Sequence, residues 1–176
     1  MEKTIVVNLI GGPCSGKSTI ASGLFYAIKK LGINAELALE FAKDKVWEES
    51  FRTMDDQIYI FAKQYHKIWR LHGKVNVIIT DSPLPISLYY MKEPSDYFDK
   101  LVIEQYNRFD NLMYFIERGK DYQQEGRIQT KEESIKIDNK IKKLMSKNDI
   151  NFKTIPQENA VEIITNEILT KLNKNE

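Results

Sequence analysis

Gly11-Gly12-Pro13-Cys14-Ser15-Gly16-Lys17-Ser18 fits the pattern G-x-x-x-x-G-K-[ST] and lies between an apolar run and a helical segment. In a chain of 176 residues the pattern arises by chance with a probability on the order of one per cent, so its flanks decide what it means. Upstream, Thr4-Ile5-Val6-Val7-Asn8-Leu9-Ile10 is β-branched and nearly continuously apolar, as a central parallel strand buried on both faces requires. Downstream, Ile20, Leu24, Ala27, Ile28 and Leu31 recur at helical spacing, and Gly32 closes the helix. A glycine-rich turn from strand to helix suits a polyphosphate, whose negative charges call for backbone N–H groups, a helix N-terminus and a lysine. The expected cradle runs over Gly11, Gly12, Pro13, Cys14, Ser15, Gly16, Lys17, Ser18 and Thr19. In it Lys17 reaches the β- and γ-phosphates, the Ser18 hydroxyl ligates magnesium, and Thr19 contacts the α-phosphate.

The remaining composition narrows the context. With 26 basic and 25 acidic residues, global charge gives no reason to expect DNA, RNA or an anionic membrane as partner. The length suits one domain, 1–176, with a sizeable core. Cys14 is the single cysteine and has no partner for an internal disulfide. Neither a charged-then-apolar leader nor a long apolar span is visible, so a cytoplasmic protein is expected.

Strands and helices alternate along the chain without internal repeat, which implies an α/β fold with a parallel sheet and helices on both faces. Strands are expected over Thr4–Ile10, Asn34–Leu39, Val75–Thr80, Asn111–Ile116 and Asn151–Ile155. Asp55 to Leu71 reads as a helix with Ile58, Phe61, Tyr65, Ile68 and Trp69 forming its core stripe. The tract from Leu84 to Phe109 reads as two helices divided near Glu93-Pro94-Ser95. Thr130 and Glu133 have capping-box spacing ahead of a helix whose stripe is Ile137, Ile141, Leu144 and Met145, and Asn159 is placed to cap the last helix.

Ligands of open α/β sheets gather beyond the carboxyl ends of the strands, where this chain sets its most capable side chains. Asp81 ends the third strand, the position at which a carboxylate meets the magnesium of a phosphate-loop site. Glu40 ends the second, suited to accept a proton or to hold an acceptor, with Phe41 beside it as a stacking candidate. The general base is Asp81 or Glu40. After the fourth strand, Glu117-Arg118-Gly119-Lys120-Asp121-Tyr122-Gln123-Gln124-Glu125-Gly126-Arg127 sets two arginines around a glycine-bounded polar stretch. Arg118 and Arg127 on a flap would bring positive charge to a moving phosphoryl group and exclude water. Pro156-Gln157-Glu158-Asn159 borders the donor base on topological grounds. Lys43, Lys45, Arg52, Lys63, Lys67 and Arg70 form either a basic patch or ordinary solvated faces.

Together the loop at 11–18, Asp81 within Thr-Asp-Ser-Pro, and the Arg118/Arg127 loop before a helix resemble the P-loop nucleoside and nucleotide kinases. The resemblance implies a three-layer sandwich around a five-stranded parallel sheet, with a helical lid at about 118–133. It implies Gly11 to Thr19 on the donor phosphates, Ser18 and Asp81 as magnesium ligands, and Arg118 and Arg127 as lid arginines. Read with the residues above, the chain is expected to use ATP and Mg2+, with Lys17, Asp81, Glu40, Arg118 and Arg127 as catalytic residues. More narrowly, the loop, Glu-Phe-Ala-Lys-Asp and Thr-Asp-Ser-Pro are similar to small phage-encoded P-loop kinases, related to nicotinamide riboside kinase domains and to kinases acting on 5-hydroxymethyluracil in DNA. That likeness implies a nucleoside or nucleotide acceptor, with DNA as the alternative acceptor, and the host cytoplasm as location. The chain lacks the Asp-Arg-Tyr/Ser strand end of thymidylate and deoxynucleoside kinases, so no acceptor carries over from them. A nucleotide switch or ATPase acting on a partner protein is the more distant alternative. The absence of Asn-Lys-x-Asp favours ATP over GTP, and the oligomeric state stays open, a homodimer included.

Overall fold

The computed structural model describes residues 4–118 and 131–174. Five strands form one parallel sheet in the order β2-β3-β1-β4-β5. They are β1 (Ile5–Ile10), β2 (Ala35–Leu37), β3 (Val77–Thr80), β4 (Asp110–Glu117) and β5 (Lys153–Pro156). The central strand explains its own composition. Ile5, Val7 and Leu9 point to one layer, with α1 (Lys17–Lys30) and α8 (Ala160–Asn173), where Leu24, Ile28, Ile164 and Ile168 meet them. Val6 and Ile10 point to the other layer, with α4 (Gln57–Trp69), α6 (Asp96–Asn107) and α7 (Lys131–Lys147). A strand covered on both sides has no solvent face on which to alternate, hence its nearly unbroken apolar run. Its one polar member, Asn8, is buried and spends its amide on Asn111 Oδ1 at 2.9 Å and the Val6 carbonyl at 3.0 Å. That satisfies a group whose burial would otherwise cost free energy.

Helix boundaries follow local chemistry. Gly16, with φ of 80°, turns the chain into α1, and Gly32, with φ of 79°, follows its end. Asp56 and Ser95 each accept a backbone N–H with the side chain and so cap α4 and α6. Asn159 occupies the cap position of α8, but its side chain makes no capping bond. The break expected near Pro94 is present: a 3-10 turn (Leu84–Ile86) runs into the short α5 (Ser87–Tyr90), and α6 starts after Ser95.

One expectation needs correction. The core face of α4 is Ile60, Phe61, Gln64 and Ile68, whereas Ile58 and Trp69 are 60% and 56% exposed. At about 100° per residue the true stripe is centred some way round the helix from the aromatic one, because a buried glutamine occupies an apolar position. Between β2 and α4 the chain also forms α2 (Phe41–Trp47) and α3 (Phe51–Asp55), divided at Glu49 with φ of 55°. Neither has a buried residue, so no hydrophobic period announces them. Among the described residues, no helix is long and apolar enough to cross a membrane.

Candidate active site

Because all five strands run the same way, their carboxyl ends share one edge of the sheet. The loop at 11–16 leaves β1 there, Glu40 follows β2, Asp81 follows β3, Arg118 follows β4 and Gln157 follows β5.

The loop wraps around its own lysine. Lys17 Nζ donates to the carbonyls of Gly11 and Gly12, each at 2.9 Å, and to Ser15 Oγ at 3.4 Å. Burial pushes this ammonium below its ordinary range, opposed by the nearby Glu40 and Asp81 carboxylates. An incoming polyphosphate offers better acceptors than these carbonyls and favours the charged form that burial disfavours. Gly16 is needed for its φ of 80°, and a Cβ there would lie 2.7 Å from Gln157 Nε2, so that side chain would have to swing aside. Gln157, expected beside the donor base, thus packs on the loop. Thr19 is exposed on the first turn of α1.

Ser18 Oγ donates to Asp81 Oδ2 at 2.6 Å, and Asp81 Oδ1 accepts the Glu40 backbone N–H at 2.9 Å. One buried carboxylate therefore joins the helix start after β1 to the strand end of β2. The hydroxyl and carboxylate fit magnesium, a hard cation that takes few protein oxygens and keeps waters and phosphate oxygens for the rest of its shell. No larger group of metal-binding side chains occurs among the described residues.

Beside the loop lies a cavity of about 330 Å³ walled by Pro13, Lys17, Glu40, Asp81, Ile86 and Tyr90, among others. Desolvation, then Asp81, raise the Glu40 carboxyl above its ordinary range, poising it to take and release a proton. Tyr90 is 47% exposed as a residue, but desolvation at the cavity wall, then Glu40, push its hydroxyl up to about 12, so at neutral pH it is a donor. Phe41 does not line this cavity. Its ring meets the edge of Tyr59 and lies under the ammonium groups of Lys45 and Lys67.

Sequence reasoning missed three residues here. Gln64 donates to the Ala38 carbonyl at 3.0 Å and Thr80 Oγ1 at 3.2 Å and accepts the Phe41 N–H at 3.0 Å, so it ties the ends of β2 and β3 together beneath Glu40. Asp138 of α7 accepts the Gly12 N–H at 2.6 Å and Arg118 Nε at 2.9 Å. Tyr90 comes from a helix too short to show a period. Arg118 is held at the strand end, with further bonds to the Pro13 and Ser134 carbonyls. Arg127, Lys120, Tyr122 and Thr130 lie outside the described residues, and 131–133 form the first turn of α7.

A parallel sheet whose central strand feeds a phosphate loop, with a strand-end carboxylate on the loop's serine, defines a P-loop α/β protein. A family model described as an AAA domain matches residues 6–162, and the chain belongs to that family. Among solved structures it is similar to the NadR protein in complex with NR, at 20% identity and a TM-score of 0.64 over 87% of this chain and 45% of that one. The chain thus spans less than half of the NadR chain. It is also similar to the thymidylate kinase of Ehrlichia chaffeensis, at 14% identity and a TM-score of 0.61 over 96% of this chain and 99% of that one. These likenesses establish a fold shared with P-loop kinases. A search of the curated proteins finds no match.

Proposed function

We propose that the protein is a magnesium-dependent kinase that transfers the γ-phosphoryl group of ATP to a nucleoside- or nucleotide-type acceptor. The observation that carries this reading is the shared wall: Lys17, which serves the phosphate loop, also lines the cavity that contains Glu40, Asp81 and Tyr90. A switch or ATPase has no need of an acceptor-sized cavity against its γ-phosphate lysine. In this reading Gly11 to Thr19 bind the donor, Ser18 and Asp81 hold the metal, and the Tyr90 hydroxyl orients the acceptor. Magnesium, when bound, neutralises charge on the phosphates. Where the acceptor attacks through a hydroxyl, Glu40 accepts its proton as the phosphorus–oxygen bond forms, whereas a phosphate acceptor attacks through an oxygen already ionised; in both cases the departing ADP oxygen keeps the electron pair of the bond that breaks. Structural likeness to a thymidylate kinase supports the class of reaction.

A DNA acceptor would draw on exposed Trp47 and Phe51 beside the cavity-lining Val46. The same stretch sets Asp44, Glu48, Glu49, Asp55 and Asp56 against Lys43, Lys45 and Arg52, and Lys45, together with Lys67 of α4, is already paired with Glu48 and Asp44 respectively. Such a surface does not favour a polyanion, which supports the small acceptor. The test supplies γ-labelled ATP and magnesium with three acceptor pools: nucleosides, nucleoside monophosphates, and DNA with normal or hydroxymethylated pyrimidines. Label on a nucleoside or nucleotide is expected. Label on DNA alone would select the other acceptor, and label only in inorganic phosphate would overturn the kinase reading.

A further inference from the structure

Arg118 and Asp138 engage the loop from its outer side. Asp138 Oδ1 takes the Gly12 N–H at 2.6 Å, while its Oδ2 takes Arg118 Nε at 2.9 Å. Arg118 passes on to the Pro13 carbonyl with one terminal nitrogen and to the Ser134 carbonyl with the other, at 3.3 Å for the latter. The two side chains are only 11% and 14% exposed, so the pair is shielded from screening. Gly12 is shaped to admit them: a Cβ there would stand 2.7 Å from Arg118 Nη2 and 2.8 Å from Asp138 Oδ1. The rising limb of the loop is thereby fastened to the end of β4 and to α7.

We propose that Arg118 and Asp138 are positioning residues that brace the phosphate loop in its binding shape, so that donor affinity depends on a carboxylate that never touches the donor. The inference rests on the donor-site reading above. Its physical content is preorganisation: a loop of successive N–H groups binds an anion tightly only if those groups converge beforehand, and the brace meets that ordering cost within the fold. It also gives the helix after residue 130 a direct handle on the loop.

Charge alone makes the opposite forecast. Lys17 is close enough to feel Arg118 and Asp138 with opposite signs, so removing the Asp138 charge makes the loop's surroundings more positive. Were Asp138 a bystander, or a carboxylate competing with phosphate, Asp138→Asn would bind the donor more tightly. The brace predicts weaker binding.

The experiment is calorimetric titration of the full chain with magnesium and a non-hydrolysable ATP analogue, for wild type, Asp138→Asn, Gly12→Ala and the two combined. Asp138→Asn is expected to weaken binding roughly tenfold, the size of one charge-assisted hydrogen bond. Gly12→Ala, which parts the same contacts sterically, should weaken it similarly, and the double variant should fall well short of the product of the two effects. Equal or tighter binding by a folded Asp138→Asn, judged by its thermal unfolding, overturns the brace, as do multiplicative effects. Arg118→Ala adds a control that general destabilisation would not pass: guanidinium at low millimolar concentration should restore part of the lost affinity, and its failure to do so counts against the brace. A wild type that binds no analogue removes the donor-site reading, and the brace's function with it.

Discussion

The two halves of the site are built from different material. On the donor side the chain presents backbone: carbonyls fold back on Lys17, and successive N–H groups and a helix start lie within eight contiguous residues. On the acceptor side it presents side chains, with Glu40 and Tyr90 brought by separate segments to a cavity whose wall they share with Asp81, the carboxylate that holds Ser18 of the loop. Backbone recognition tolerates little substitution in its glycines and lysine but is indifferent to much else. Side-chain recognition changes its ligand with one substitution. The donor half should therefore fail outright when altered, and the acceptor half should fail by degrees.

The sharpest break is Lys17→Ala. Its removal should lower phosphoryl transfer by roughly a hundredfold to a thousandfold, the cost of a preorganised group facing developing charge. The thermal unfolding curve should stay close to wild type, because Lys17 spends its bonds on the loop alone. Next is Glu40→Gln, for which kcat should fall by about tenfold to a hundredfold, towards the modest end of general-base effects because phosphoryl transfer relies mainly on positioning. The pH profile sharpens this point. Only ionised Glu40 accepts a proton, and burial with Asp81 raises its pKa, so the wild-type rate should climb with pH through a range above that of an ordinary glutamate. The glutamine variant should lose that limb.

Gly16→Ala tests the donor half without touching a charge. A φ of 80° and a Cβ 2.7 Å from Gln157 should cost about 1–3 kcal/mol of stability, read by thermal unfolding, along with weaker ATP binding. The smallest effect belongs to Tyr90→Phe, which should raise the acceptor's KM by about twofold to tenfold, the worth of one hydrogen bond, and leave the KM for ATP unchanged. Should Tyr90→Phe alter the ATP constant instead, the division into two halves would fail.

The same contrast governs what the sequence reveals. The donor loop is local and glycine-dependent, so its motif, the strand before it and the helix after it are all legible. So are the five strands and the stripe of α7, whose Ile141 and Met145 are buried as their spacing implies. Gln64 and Asp138 escaped because each is a polar residue on an apolar stripe. Gln64 sits among Ile60, Phe61 and Ile68, and Asp138 lies in register with the buried Ser134, Ile141 and Met145. At helical spacing these substitutions look like defects in a pattern. In the fold each satisfies backbone groups at a strand end or a loop, a role that periodicity cannot express. A polar residue interrupting an otherwise regular core stripe is the signal that would have found both. Helices α2 and α3 left no such trace, since they bury nothing.

In a kinase of this design the donor loop and the cavity act on one phosphoryl group. The most direct measurement is the ratio of label transferred to acceptor over label released as inorganic phosphate, from γ-labelled ATP, in wild type and Glu40→Gln side by side. The shared wall predicts a ratio well above one for wild type that drops sharply in the variant, with hydrolysis little changed. A ratio that is the same in both proteins would contradict it, because the cavity would then take no part in where the phosphoryl group goes.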